Sequence, residues 1–97
     1  MKEHIYYVYI MASKKDGVLY IGVTNSLLRR TFQHKGHSGD SFTSKYFVHK
    51  LVYYEHYKYI DDALCREKQL KKWNREWKIN LIEKDNPYWR DLFDNML

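Results

Sequence analysis

Two short runs near the start of the sequence constrain the fold more than any other feature. Residues 5–11 and 18–24 are rich in aromatic and β-branched side chains, which favour extended strands. Residues 13–17 lie between them and end in Asp-Gly, a strong turn signal. The pattern predicts an antiparallel hairpin with strands over residues 4–12 and 18–24.

The hairpin places two tyrosines on one face of the sheet, because side chains alternate along a strand. If Ala12 pairs with Gly17 across a four-residue loop, Tyr9 lies directly opposite Tyr20. Cross-strand aromatic pairs stabilise sheets by roughly 0.2–1 kcal/mol, so packing alone accounts for such a pair. Gly22 weakens the second strand unless another group approaches its backbone closely.

A short basic helix follows the hairpin. Three candidate N-cap residues precede it, and the pattern predicts a helix over residues 26–35. Arg30 and His34 are spaced i, i+4 and therefore share one side of this helix. Leu28 and Phe32 lie nearly opposite and are expected to face the core.

The remaining sequence alternates between a polar loop, one strand and two helices. Residues 36–45 are rich in Gly and Ser, which is typical of a mobile surface loop or a plain connector. A third strand is predicted over residues 50–57. A second helix begins at Asp61 or Asp62, both good N-caps, and a third covers residues 75–84.

These elements predict an α+β fold, a three-stranded antiparallel sheet flanked by about three helices. Ninety-seven residues suit one domain, residues 1–97. Aromatic and aliphatic side chains near the C-terminus supply the buried contacts of the last helix and of a terminal turn: Trp73, Trp77, Ile79, Leu81, Ile82, Trp89, Leu92 and Phe93.

Composition excludes several classes of protein. The chain is 44% hydrophobic and 30% charged, which is typical of globular chains. It has no apolar run of about 18 residues and no signal-peptide pattern, so no membrane association is expected. Cys65 is the one cysteine, which excludes an internal disulfide and a CxxC zinc site and favours a cytoplasmic location. The net charge of +5 favours polyanionic partners.

One carboxylate lies in an otherwise core-facing stripe of the second helix. Ala63, Glu67, Leu70 and Asn74 share this stripe. Desolvating an unpaired charge is unfavourable, so Glu67 needs a protein cation such as Arg30, or a metal. The pattern alone favours a structural salt bridge to an arginine.

Together these residues resemble the GIY-YIG nuclease superfamily, and the resemblance covers nearly the whole chain. It is carried by two tyrosine motifs and three single residues: Tyr7-Val8-Tyr9, Tyr20-Ile21-Gly22, Arg30, His34 and Glu67. The first motif departs from the family pattern, since Tyr7 stands where glycine is commonest and Val8 where isoleucine is. The chain looks closest to the small stand-alone bacterial members.

The resemblance implies a metal-dependent endonuclease acting on DNA, with Tyr9, Tyr20, Arg30, His34 and Glu67 in the active site. Glu67 would bind one Mg²⁺ or Mn²⁺, weakly until substrate arrives. Arg30 suits the phosphate because its planar fork matches the oxygens. Tyr20 is the better candidate for activating water, with Tyr9 bonding to the phosphate or to Tyr20 and with His34 orienting the base or shuttling the proton.

Basic side chains outside this site are candidates for further DNA contacts: Arg29, Lys45, Lys68, Lys71 and Lys72. Lys45 belongs to a Thr-x-Lys-Tyr stretch at residues 43–46 that resembles a segment bordering the family's active site. The run from Lys68 to Lys78 is equally well explained as a solvated face. We expect no second DNA-binding domain in these 97 residues, and therefore structure-selective or nonspecific contacts, or targeting by a partner protein. The sequence leaves the oligomeric state open.

Two other functions fit the sequence. One is a nucleic-acid-binding module without turnover, which shares the charge and needs no metal. The other is a protein-interaction domain whose tyrosine face contacts a partner, because tyrosine and tryptophan are enriched at interfaces.

Overall fold

An antiparallel sheet of three strands, in the order β2-β1-β3, forms the centre of the fold. The computed structural model describes residues 4–35 and 45–96. In chain order the elements are β1 (Tyr6–Ala12), β2 (Leu19–Thr24), α1 (Leu27–Lys35), β3 (Lys50–Tyr57), α2 (Ile60–Lys72), α3 (Arg75–Asp85) and a short 3-10 helix (Leu92–Met96). The predicted α+β fold is confirmed. Within the described residues, no helix has the length and apolar character of a membrane span.

The register of the hairpin differs from the prediction. Ala12 pairs with Leu19 and Tyr9 with Gly22, so Tyr9 does not lie directly opposite Tyr20. The four-residue turn lies one residue further along the chain than predicted, over residues 14–17, because Ser13 and Val18 form a further pair: the Ser13 N–H donates to the Val18 carbonyl, and the Val18 N–H donates to the Ser13 hydroxyl. A shift of two residues keeps each side chain on its face, so Tyr9 and Tyr20 still share one.

Each face of the sheet carries its own apolar cluster. On one face, Val8, Ile10 and Ala12 pack with side chains of α2 and α3 and with the fully buried Trp89. On the other face, Tyr9 and Met11 pack with Leu27, Val48, Leu51 and Phe93. The central strand β1 is therefore covered on both faces. The predicted return of the C-terminal segment to the core is confirmed for Trp89 and Phe93.

Helix α1 turns a different side to the sheet from the one predicted. Leu27, Thr31 and His34 are buried, whereas Leu28 is exposed and Phe32 retains 66% of its accessible surface. The prediction for Leu28 and Phe32 was wrong because the sheet beneath α1 presents the Tyr9 hydroxyl, which His34 meets with a hydrogen bond. Trp77 was also wrongly assigned to the core, since it lies exposed with its ring edge-on to Trp73.

Two details fix the ends of the helices. Helix α2 begins one residue before Asp61, with Tyr59 as an N-cap that makes no side-chain hydrogen bond. Asp61 and Asp62 lie instead in its first turn, where their charge still complements the helix dipole. The end of α1 is held by Asp91, whose carboxylate pairs with Lys35 and accepts the Leu51 N–H at 3.1 Å.

Candidate active site

Gly22 gives Tyr9 the space for its phenol ring. A Cβ at Gly22 would lie 2.5 Å from the Tyr9 hydroxyl oxygen and 2.7 Å from its ring carbon Cζ. No real side chain tolerates such contacts, so the ring lies directly over the β2 backbone. This is the close approach that a glycine within a strand indicates.

Helix α1 brings a histidine and an arginine to the Tyr9 hydroxyl. His34 Nε2 lies 3.2 Å from that oxygen, and Arg30 Nε donates to it at 3.4 Å. Tyr9 and His34 are both buried, while Arg30 is partly exposed. The i, i+4 spacing of Arg30 and His34 therefore serves one shared partner across the sheet.

The protonation of Tyr9 follows from this environment. Burial raises the pKa of Tyr9 to about 12; the Arg30 hydrogen bond opposes this shift, and nearby Tyr20 and Glu67 reinforce it. The phenol therefore keeps its proton at neutral pH. Since its oxygen accepts from Arg30, its O–H can donate to His34 Nε2 in the tautomer that carries the His34 proton on Nδ1.

Tyr20 completes a cluster of four, which we call the open cluster: Tyr9, Tyr20, Arg30 and His34. The Tyr20 ring centroid lies 6.3 Å from that of Tyr9 and 5.4 Å from that of His34. Hydrogen bonding to Tyr9, and more weakly to Tyr20, raises the pKa of Arg30. Tyr20 is half-buried, unlike Tyr9, so its hydroxyl is the more accessible phenol of the pair.

The charge of Arg30 has no counter-ion in the described residues. The ion pairs there are Lys35–Asp91, Arg66–Glu55 and Lys71–Glu67. Arg30 bonds instead to the neutral Tyr9 and, at 3.4 Å, to the Gln33 side-chain oxygen. The sequence analysis missed Gln33, although its i, i+3 spacing from Arg30 was a usable signal. In the part of the chain that the structure describes, the open cluster is thus a cationic site without an anion.

Glu67 is half-buried on α2, and its charge is close enough to raise the pKa of Tyr9. Its ion-pair partner is Lys71, 3.6 Å away and more than half exposed. A salt bridge from Glu67 to an arginine, which the pattern alone favoured, is not what the structure shows. The arginine of α2 that does pair is its neighbour, Arg66, and it pairs with Glu55.

The chemistry of Glu67 fits a divalent cation. Among the described residues no three His, Cys, Asp or Glu side chains gather as a ligand group. Mg²⁺, however, is often held by one or two carboxylates and several waters. Glu67 is half-buried, and its ionic partner among the described residues, Lys71, is exposed and 3.6 Å away, so the carboxylate keeps oxygen lone pairs available for such an ion.

The predicted DNA-contacting residues are spread over the surface. Arg29 is exposed beside Arg30, and Lys71 lines a groove of about 330 Å³ with Tyr20 and Lys78. Lys68 and Lys72 are exposed on α2. Lys45 is exposed and lies over the Tyr46 ring, with no contact to the open cluster in the described residues. Thr43 and His37 lie outside the described residues.

A groove of about 440 Å³ leads to the open cluster. Arg29, Arg30 and Gln33 form one wall, and Thr24 and Asn25 of the β2–α1 connection lie opposite. Both arginines face this groove, so it concentrates positive charge where Arg30 lacks a counter-ion. Tyr9, in contrast, is buried, which removes it from any surface that a partner protein could contact.

A second polar cluster, absent from the sequence analysis, lies on the opposite face of the sheet. We call it the closed cluster: Tyr53, Glu55, Tyr57 and Arg66. The Glu55 carboxylate accepts from Tyr53, from Tyr57 at 2.6 Å and from Arg66 at 2.7 Å. The alternation of Tyr53, Glu55 and Tyr57 along β3 was a signal for this arrangement.

Comparison with known proteins shows the family and the fold of the chain. The family described as GIY-YIG catalytic domain matches residues 5–80. A UPF0213 protein of Clostridium perfringens is 40% identical over 76 residues, covering 78% of this chain and 81% of that protein. A UPF0213 protein of Haloquadratum walsbyi is 35% identical over 78 residues, covering 80% and 86%. The solution NMR structure of a UPF0213 protein from Bacillus halodurans superposes with a TM-score of 0.56 at 26% identity, covering 90% of this chain and 92% of that one.

Proposed function

The chain belongs to the GIY-YIG catalytic domain family, and on that premise we propose that it is a metal-dependent endonuclease that hydrolyses phosphodiester bonds in DNA. The names of its UPF0213 relatives assign no activity, so the argument rests on the site. The observation that carries it is Arg30, a partly exposed guanidinium that has no counter-ion among residues 4–35 and 45–96 and lies beside two phenols and a histidine.

Arg30 binds the phosphate. Its guanidinium always carries charge and matches phosphate oxygens with parallel N–H donors. Its Nε is engaged by Tyr9 and one terminal nitrogen by Gln33, which fixes the plane of the group before substrate arrives. A donor oriented in advance stabilises the charge that develops on phosphorus without reorganising during the reaction.

Tyr9 positions the other residues and does not take the proton of the attacking water. Its raised pKa keeps it neutral, and it joins Arg30 to His34 through one oxygen. Tyr20 is the more exposed phenol and lies against the His34 ring, and we assign it the proton of the attacking water, which it can accept only after its own O–H proton has left for solvent. His34 fixes the orientation of the Tyr20 ring by an edge contact.

Glu67 would hold one Mg²⁺ or Mn²⁺, a group that neutralises phosphate charge and stabilises the leaving oxygen when bound. A single protein carboxylate predicts weak binding in the absence of DNA. Lys71, the present ionic partner of Glu67, is exposed and free to move away as the cation enters.

Cleavage assays test this proposal directly. Purified protein with magnesium or manganese is expected to cut at least one of a set of fully paired, flapped, branched and single-stranded DNAs. Glu67→Gln is the matched control for contaminating nucleases, because it removes the charge and keeps the shape. Absence of cutting throughout, or equal cutting by Glu67→Gln, would refute the proposal. Binding that persists in that variant and falls steeply with salt would identify a binding module.

A further inference from the structure

A second groove, of about 530 Å³, adjoins the one that contains Arg29 and Arg30. It lies between the start of β1, the end of β3 and the start of α2. Its walls are mostly aromatic, imidazole and aliphatic side chains: Ile5, Tyr6, His56, Tyr57, Tyr59 and Ile60. Tyr6 and Ile60 line both grooves. A strand whose phosphate is held at Arg30 can therefore place its next nucleotide in the second groove.

Several side chains of this groove are exposed to solvent. Tyr59 retains 62% of its accessible surface, and Ile5 and Ile60 are also exposed. The ammonium nitrogen of Lys58 lies 5.8 Å from the centre of the Tyr59 ring. No carboxylate lines the groove among the described residues. A flat aromatic surface next to a cation suits a flat, polarisable group attached to a phosphate.

We propose that this groove binds an unpaired nucleobase of the strand held at Arg30, so that the protein selects DNA with an unpaired nucleotide next to the bond it cuts. The inference rests on the proposed function, since it uses the same phosphate site. Tyr59 offers a ring for stacking, which every base accepts on its flat face. The imidazole of His56 offers a donor and an acceptor for the polar edge of a base.

A base inside a duplex cannot occupy this groove without leaving its stack. Extrusion of a paired base is unfavourable, whereas a bulged or flap nucleotide is already unstacked. Selectivity for unpaired positions then follows from the free energy of unpairing and needs no reading of sequence. This accounts for structure selection by a chain with little surface for base-specific contacts.

Binding without divalent metal tests the inference separately from cleavage. The probes are a labelled short duplex with one bulged thymidine and the same duplex fully paired, in EDTA at low salt. The wild type is expected to bind the bulged duplex more tightly. Tyr59→Ala should weaken that binding about tenfold, the effect of one lost base–aromatic stack, and leave the paired duplex unaffected. His56→Ala should weaken it in the same direction.

Tyr88→Ala is the matched control, because Tyr88 is 75% exposed and has a guanidinium, that of Arg90, 5.9 Å from its ring centre. Equal affinity of the wild type for both duplexes, or equal losses in the Tyr59 and Tyr88 variants, would overturn the inference. Cleavage with no preference for the bulge would refute the nucleobase-binding groove and leave the nuclease proposal standing. If Tyr59→Ala abolishes the binding preference for the bulged duplex but no variant cleaves DNA in magnesium, only the nuclease proposal is refuted.

Discussion

The open and closed clusters contain the same core of groups, two tyrosines and one arginine, on opposite faces of one sheet. They differ in whether a carboxylate joins them. In the closed cluster Glu55 accepts from Tyr57 and Arg66 within 2.7 Å and from Tyr53 as well. In the open cluster Arg30 meets neutral partners at 3.4 Å. A cluster that already holds its anion stabilises the fold, and one that lacks it is free to bind a phosphate.

The tyrosines of the two clusters are alike in ionisation. Burial raises the pKa of Tyr57 to about 12; the hydrogen bond to Glu55 adds to the shift and the charge of Arg66 opposes it. Burial likewise raises the pKa of Tyr9 to about 12, and the Arg30 hydrogen bond opposes that shift. The clusters therefore differ in the carboxylate and not in the state of their phenols. Substitutions in the open cluster should therefore change cleavage, and substitutions in the closed cluster should change the free energy of unfolding.

Arg30→Lys has the largest expected effect. A lysine keeps the charge but loses the planar fork that Tyr9 and Gln33 orient, so single-turnover cleavage should fall about 100-fold or more. The free energy of unfolding, measured in urea, should change by less than about 1 kcal/mol, because hydrogen bonds from Arg30 to neutral partners contribute little to stability. Arg90→Lys is the control, with cleavage close to wild type, because Arg90 is exposed and lines neither groove. A cleavage rate near wild type in Arg30→Lys would show that the reaction does not need the guanidinium of Arg30.

Glu55→Gln should affect stability instead. It leaves Arg66 without a counter-ion at a partly exposed position, and we expect a loss of about 2 kcal/mol in the free energy of unfolding after allowance for solvent screening. Cleavage below the melting temperature should remain unchanged. Glu67→Gln should leave the free energy of unfolding nearly unchanged, because its partner Lys71 is exposed and its Nζ lies 3.6 Å from the Glu67 carboxylate. Equal destabilisation by both variants would contradict the distinction between the clusters.

The stability conferred by Glu55 should also depend on pH. Burial alone would raise the pKa of Glu55, but hydrogen bonds from Tyr53, Tyr57 and Arg66 outweigh it, so the folded pKa lies below the ordinary value of 4.5. Its contribution is then complete above about pH 4.5 and is lost as the pH falls through the folded pKa. The difference between wild type and Glu55→Gln in urea unfolding should shrink across that range. A difference that is constant with pH would argue against the charged network.

Thr31→Val has the smallest expected effect. The Thr31 hydroxyl is buried in α1 beside the open cluster and has no hydrogen-bond partner among the described residues. Removing it should raise the free energy of unfolding by about 0.5–1 kcal/mol. Thr24→Val removes a hydroxyl that accepts the Ser26 N–H at 3.1 Å, and should lower it by a similar amount. Equal changes in both variants would show that the hydroxyl contacts do not matter.

The sequence determined the elements of this fold and the faces of its strands. Aromatic and β-branched runs specify strands through local geometry, and alternation puts Tyr9 and Tyr20 on one face for any even shift of register. The i, i+4 spacing of Arg30 and His34 likewise put them on one side of α1. These features depend on neighbours a few residues apart, so they can be predicted from the sequence alone.

Only the tertiary structure decided the register, the buried side of α1 and the pairing of the charges. The Ser13–Val18 hydrogen bonds set the register of the hairpin, and His34 is buried against the Tyr9 hydroxyl while Phe32 remains exposed. Arg66 pairs with Glu55, eleven residues away in sequence, whereas the next residue, Glu67, pairs with an exposed lysine. Such contacts join groups from different elements. Their energies depend on distances that exist only after the sheet and helices have packed.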